Sequence, residues 1–214
     1  MTKESEVNLS FTLNQNGTWN RPSSNFIIIK NGGVLNIIKN GGTPDIQNSA
    51  LNVSNLTIED GGILTHEANP SSQLYVLNIT ANYITVLDGG FINVTSRGYV
   101  GGVNEQNGSG PGKGMINCSN QAQPAGGAGY GGRGGDGSVG DSGAGGVGGN
   151  DYGSITSPVD LGSGGAAAIT FSGCNNEDGG KNGGAGGGSI FINVSNMINI
   201  TGNITANGGN GTCA

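Results

Sequence analysis

The sequence predicts an all-β fold, a β-solenoid in which one short unit is stacked on itself, and three observations carry the prediction. A turn of Asn or Asp followed by two glycines returns at Asn31-Gly32-Gly33, Asp60-Gly61-Gly62 and Asp88-Gly89-Gly90. Each copy follows a β-branched run, and the step between them sets a coil of about 28 residues. The text around the turns reads alike, Asn55-Leu56-Thr57-Ile58-Glu59-Asp60-Gly61-Gly62-Ile63 beside Tyr83-Ile84-Thr85-Val86-Leu87-Asp88-Gly89-Gly90-Phe91, as expected when one supersecondary unit repeats. No stretch shows a 3.6-residue apolar period, so no amphipathic helix competes with the strands.

Residues 11–95 read as strands and turns. In Leu51-Asn52-Val53-Ser54 and Ile92-Asn93-Val94-Thr95 apolar residues alternate with Asn, Ser and Thr, which buries one face of each strand and leaves the other polar. The alternation returns late in the chain, where Ile198, Ile200, Ile204 and Ala206 share one face and Asn199, Thr201, Asn203 and Thr205 the other. Between these regions, residues 98–188 are locally about half glycine and too long for an ordinary loop. Gly131, Gly134, Gly137, Gly140, Gly143, Gly146 and Gly149 fall on every third position, with Gly126, Gly129, Gly132 and Gly135 in a second register. A three-residue period matches a polyproline-II-type helix, so one reading is a polyglycine-II-like bundle packed on the solenoid; the other is a disordered linker. Ordering such a tract costs roughly 1–2 kcal/mol per residue. Backbone hydrogen bonds between neighbouring segments, with anchors at Tyr130, Tyr152, Val159, Leu161 and residues 166–171, would have to offset it. The expected organisation is solenoid coils over 1–97, a glycine-rich insertion over 98–188 and a returning coil over 189–214. These make one domain, read as a piece of a longer protein.

Composition narrows the functional classes. Of 214 residues, 46 are glycine, 33% are hydrophobic and 10% are charged, so the core is narrow but the chain is not a charge-driven disordered tail. A net charge of −6 with arginines scattered at Arg21, Arg97 and Arg133 argues against a nucleic-acid groove. No apolar run is long enough to span a bilayer. Three cysteines predict one bridge and one remaining thiol; Cys118 and Cys174 flank the glycine-rich block and are the candidate pair, with Cys213 left over. A bridge implies an extracellular or cell-surface setting; buried free thiols in a reducing compartment are the alternative.

Several motifs carry a family resemblance: Leu56-Thr57-Ile58-Glu59-Asp60-Gly61-Gly62, Gly127-Ala128-Gly129-Tyr130-Gly131-Gly132-Arg133-Gly134-Gly135, Asp151-Tyr152-Gly153-Ser154 with Asp160-Leu161-Gly162-Ser163-Gly164-Gly165, and Gly184-Ala185-Gly186-Gly187-Gly188-Ser189-Ile190 leading to Ile204-Thr205-Ala206-Asn207-Gly208-Gly209. The chain resembles glycine-rich surface and secreted proteins with right-handed parallel β-helices of the pectin-lyase-like type. The resemblance covers most of the chain after Leu51. It implies a right-handed parallel β-helix in a large extracellular polypeptide, without a defined chemistry.

Because such folds include polysaccharide lyases and hydrolases, catalysis needs testing residue by residue. Asp60 and Asp88 fall one coil apart as a paired acid and base would, but Asn31 fills the same slot without a carboxylate, which favours a turn role. His66 has no matching nucleophile and reads as a strand-end or surface residue, and neither Arg97 nor Arg133 has an obvious acidic triad. Gly131–Val139 approaches a calcium-binding nonapeptide, yet Ser138 stands where a large apolar side chain is needed. Asp136, Asp141 and Asp151 are the remaining oxygen ligands for a hard cation such as Ca²⁺. No glycine run precedes Lys-Ser or Lys-Thr, which argues against a phosphate loop. No catalytic residue, metal ligand or cofactor is assigned.

Asn-x-Ser/Thr begins at Asn8, Asn16, Asn52, Asn55, Asn78, Asn93, Asn107, Asn117, Asn193, Asn199, Asn203 and Asn210, well above the four or five, approximately, that random order would supply. Either the outward asparagines carry N-glycans, with Asn52, Asn55, Asn78, Asn93, Asn193, Asn199 and Asn203 the leading candidates, or strand alternation itself writes the motif and the side chains form polar ladders. The functional expectation is a non-enzymatic extracellular structural or adhesive protein whose partners are other extracellular proteins, glycans or copies of itself. The alternatives are a viral or phage fibre receptor-binding module, an ice-binding protein and a carbohydrate-active enzyme.

Overall fold

The computed structural model describes residues 26–38, 50–117, 124–138, 144–169 and 181–212, with the backbone of 11–14. Among them are nine strands and no helix: β1 (Phe11–Asn14), β2 (Phe26–Ile29), β3 (Val34–Ile38), β4 (Ala50–Ile58), β5 (Ile63–His66), β6 (Leu77–Val86), β7 (Phe91–Asn93), β8 (Ile190–Ile200) and β9 (Asn203–Thr205). The odd strands form one sheet in the order β1-β3-β5-β7-β9, the even strands a second in the order β2-β4-β6-β8. Pairing is parallel, and the registers stack repeat on repeat: Ile29 on Ile58 on Val86, and Leu35 on Leu64 on Ile92. The Asx-Gly-Gly ruler therefore sets the register.

The expectation of a right-handed parallel β-helix is overturned. The strands make two parallel sheets, and no closed solenoid is seen among the described residues. The reason lies in the returns. The chain passes from the even to the odd sheet through the short glycine turns, but its way back runs through 39–49, which lie outside the described residues, through strand-free 67–76, and through 94–189. A repeat that recurs over only part of each step does not close a coil. Residues Val94–Phe191 form a compact unit with Ala68–Val76 and Ala206–Ala214, while the other unit comprises Met1–Glu67, Leu77–Asn93 and Ile192–Thr205.

In the strand unit the apolar columns are the core. Leu56, Ile58, Leu64, Leu77, Ile79, Ile84, Val86 and Ile92 are essentially without solvent contact, and each such side chain contributes about 1.5–3 kcal/mol on burial. The alternation slips once. Ser54-Asn55 and Asn82-Tyr83 are consecutive residues outside the core, at matching positions where Asn55 faces Tyr83 across the pair. The slip lets Leu51 and Leu56 in one strand, and Ala81 and Ile84 in the other, fall on the buried side. The late alternation forms strands as expected, yet its apolar face is not covered: Ile198 is 46% exposed, and Ile200 and Ile204 are 39% exposed. β8 and β9 are the last strands of their sheets, so no further strand lies over these residues among those described.

The predicted turn glycines Gly32, Gly33, Gly61, Gly62, Gly89 and Gly90 build a ladder. Each turn closes on itself, with Gly33 donating to the Lys30 carbonyl, Gly62 to Glu59 and Gly90 to Leu87 at 2.8–2.9 Å. Successive turns are then tied by Gly32 N–H to Gly61 O at 3.2 Å and Gly61 N–H to Gly89 O at 2.9 Å. Gly32, Gly61 and Gly89 sit at φ of 76°, 72° and 73°, which side-chain-bearing residues rarely adopt.

In the glycine-rich unit, extended segments without strand assignment bond laterally at three-residue steps. Gly162, Gly165 and Ala168 donate to Gly187, Gly184 and Lys181, while the Gly162 and Gly165 carbonyls accept from Tyr99 and Gly102. Each segment thus bonds to several neighbours, which satisfies backbone groups that a flat sheet would satisfy on two sides only. The approach is so close that a Cβ on Gly101 or Gly186 would land on the carbonyl of Gly183 or Gly162.

Candidate functional site

Within the glycine-rich unit, two hydroxyl groups link the backbone at Gly112 to that at Leu161. Gly112 N–H donates to Ser163 Oγ at 2.9 Å, Ser163 Oγ donates to Tyr152 Oη at 2.8 Å, and Tyr152 Oη donates to the Leu161 carbonyl. The bonds run in one direction, so each hydroxyl accepts once and donates once. Ser163 is buried, and Val76, Tyr99 and Leu161 form an apolar cluster in the same unit. Tyr130 meets Tyr152 edge to face with ring centroids 5.1 Å apart, a favoured aromatic geometry. Burial pushes the Tyr152 phenol up to about 12; the Ser163 hydrogen bond opposes this, and charge on Tyr99, Tyr130 and Asp160 adds to it. Tyr99 and Tyr130 shift upward too, first from burial and then from Asp160.

Beyond this relay the chain makes an anchored loop. Tyr152 O accepts from Gly131 N–H at 2.9 Å, and Ser154 Oγ accepts from the Thr156 and Ser157 amides. Val159 O accepts from Gln73 Nε2 at 3.3 Å and Ser189 Oγ at 3.2 Å. Between the anchors Ile155 is 94% exposed, with Val159 and Tyr130 also exposed. A second clamp holds residues 74 and 75: fully buried Asn69 accepts from the Leu74 and Tyr75 amides and donates to the carbonyls of Tyr75 and Arg97, at 2.7–2.9 Å.

The candidates read from the sequence are distributed widely. Asp60 and Asp88 are exposed in the turn ladder, stacked in line with Asn31, and the Asp60 carboxylate lies over Gly89. His66 ends β5 but is fully buried, unlike a surface residue, because it occupies the column of Ile37; its Nδ1 is 2.7 Å from the Glu67 carbonyl. Asp136 pairs with Arg133 at 2.8 Å and accepts from Gly148 N–H at 2.7 Å, so one oxygen is already engaged. Asp151 is exposed, and Asp141 lies outside the described residues. Among the described residues no three His, Cys, Asp or Glu side chains are grouped to hold a metal ion. Cys118, Cys174 and Cys213 lie outside the described residues, as do Asn8 and Asn16.

The sequon asparagines divide by exposure. Asn52, Asn193, Asn199 and Asn203 are exposed, while Asn55, Asn78 and Asn93 are half-buried. Asn93 Oδ1 accepts from Thr205 Oγ1 at 2.9 Å, and the Asn78 amide oxygen is shut off from solvent without a hydrogen-bond partner among the described residues. Asn107 Oδ1 accepts from Ile116 N–H, Asn117 Nδ2 donates to Ala144 O, and Asn210 is exposed. On the strand unit, Asn52, Ser54, Thr80, Asn82, Asn193 and Ser195 line a shallow groove of about 370 Å³.

Sequence reasoning named Tyr130, Tyr152 and Leu161 as anchors but passed over Ser163, Tyr99 and Asn69. A lone serine between glycines, and an asparagine before Pro70, carry no periodic signal; only the fold gives each its partners. No helix among the described residues is long and apolar enough to cross a membrane. The chain matches no family model, and no curated protein or solved structure matches it.

Proposed function

We propose that the chain is a non-enzymatic, extracellular adhesive module that makes contact through the anchored loop of its glycine-rich unit. The observation that carries this reading is Ile155, almost wholly exposed at the crest of a loop fixed at Tyr152 and Val159. Isolated exposed aliphatics are ordinary on protein surfaces. Here the side chain forgoes about 1.5–3 kcal/mol of burial on a loop whose backbone is already committed, so little ordering entropy is left for a partner to supply. Loops presented by a rigid scaffold are where binding residues concentrate. The low charge of the chain suits contact with neutral protein or glycan surfaces, and the Tyr152–Ser163 relay has the form of a structural staple.

Binding of the fluorescently labelled chain to cultured epithelial cells and to collagen-coated surfaces tests the proposal, with Ile155→Asp and Tyr130→Ala as variants. Specific binding weakened at least several-fold by Ile155→Asp, with unchanged circular dichroism, is the expected result. Binding that is absent on both surfaces, or equal in the wild type and both variants, would remove the reading.

A further inference from the structure

We propose that the groove on β4, β6 and β8 is a binding site for a neutral saccharide. Six polar residues line it, Asn52 and Ser54 from β4, Thr80 and Asn82 from β6, and Asn193 and Ser195 from β8, with Val53 and Ala81 between them. The register sets Asn52 opposite Thr80, and Ser195 Oγ donates to Asn82 Oδ1 at 2.8 Å, so the groups form a grid rather than a scatter. Neighbouring strands lie about 4.8 Å apart, and same-face residues along a strand about 6.7 Å apart. That is the scale over which one pyranose ring spreads its hydroxyls.

The chemistry selects the ligand class. Amides and hydroxyls offer both donors and acceptors, matching sugar hydroxyls that do the same. None of the lining side chains carries a charge, so a phosphate or carboxylate would find no counter-charge, and no group in the lining titrates near neutral pH to move a proton. The groove therefore reads as a site that holds a saccharide without cleaving it. Its volume of about 370 Å³ lies at the small end of small-molecule sites and fits one or two sugar rings. Tyr83, directly after Asn82, is 42% exposed and stands beside the lining rather than in it, where the electron-rich face of its ring could meet the C–H edge of a pyranose that extends past Asn82. The competing occupant is a glycan attached to the chain itself, because Asn52 and Asn193 each begin an Asn-Val-Ser sequon. These residues are separate from the loop of the adhesive proposal, so either reading can fail alone.

The experiment uses the whole chain made in bacteria without N-glycosylation, with bare asparagines checked by intact mass. Saturation-transfer NMR is run with cellobiose, lactose and α-mannobiose, and with digalacturonate as the charged comparator. The expected result is transfer to at least one neutral disaccharide, with Kd raised roughly three- to tenfold by Thr80→Val and by Asn82→Ala. Tyr83→Ala is expected to weaken binding without touching the grid, which keeps the test valid if Asn82→Ala disturbs the Ser195 contact. Absence of transfer to all three neutral sugars, equal binding of digalacturonate, or unchanged affinity in all three variants would overturn the proposal. So would thermal hysteresis without saccharide binding, which would make the grid an ice-facing surface.

Discussion

Replacing Gly61 by alanine separates the two reasons for glycine in the turn ladder. Gly32 and Gly61 share the left-handed conformation, at φ of 76° and 72°, but their surroundings differ. An added Cβ on Gly32 meets nothing within 4 Å, whereas on Gly61 it would stand 2.5 Å from Asn31 Oδ1, 3.0 Å from its Cγ and 3.4 Å from its Cα. Gly32→Ala therefore carries backbone strain alone, about 1–2 kcal/mol. Gly61→Ala adds a clash with the Asn31 side chain of the turn stacked on it; because Oδ1 ends an exposed side chain that can turn aside, the added cost stays at the low end for an overpacked contact, about 1 kcal/mol, and the total falls at about 2–3 kcal/mol. Truncating Asn31 to alanine removes Oδ1 and Cγ and leaves its Cα and Cβ no nearer than 3.4 Å, an ordinary contact distance. The double variant Asn31→Ala/Gly61→Ala should then be more stable than the sum of the singles predicts, with a coupling of about 1 kcal/mol. Urea unfolding followed by circular dichroism on the wild type and four variants reads all of these terms. Equal losses for Gly32→Ala and Gly61→Ala, or strict additivity in the double variant, would refute stacking as the second constraint.

Two further outcomes follow from the glycine-rich unit. The Tyr152 phenol ionises at about 12 in the fold against 10.0 for a free tyrosine; its contribution is fully present below pH 10 and is lost as the pH rises through about 12, read by comparing alkaline unfolding of the wild type with Tyr152→Phe, whose curve should be flatter there. Asn69→Ala leaves two amides and two carbonyls without the side chain that binds them, which should destabilise by about 2–4 kcal/mol and raise amide exchange at Leu74 and Tyr75, an effect absent if the clamp is incidental.

The strand unit was legible because its information is periodic. Alternation assigned faces to Leu51, Ile92 and their neighbours, and the spacing of Gly32, Gly61 and Gly89 set the register that pairs Ile29 with Ile58 and Val86. Closure of the coil was beyond reach, because it depends on 67–76 and 94–189, whose text does not carry the 28-residue unit. The exposure of Ile198, Ile200 and Ile204 was hidden for another reason: their alternation matches that of buried strands, and only position in the stack distinguishes them. His66 was misjudged in the same way, since a residue's column, here that of Ile37, is a property of pairing rather than of local sequence. The candidate sites were less legible still. Ser54, Asn82 and Ser195 come from three separated strands, and the Ser163 relay draws on residues far apart in the chain.

The lateral bonding of glycine segments also bears on how this unit responds to temperature. Its interior is peptide groups meeting peptide groups, with Leu161, Ala166, Ala167 and Ile169 among its few buried apolar side chains. Heat capacity rises on unfolding with the apolar surface newly hydrated and falls with the polar surface. An interior made largely of backbone offsets one term against the other, which flattens the curvature of stability against temperature. Such a unit gains little from warming toward an optimum and loses little on cooling, so its hold on the anchored loop varies less between cold and warm surroundings than that of a side-chain core.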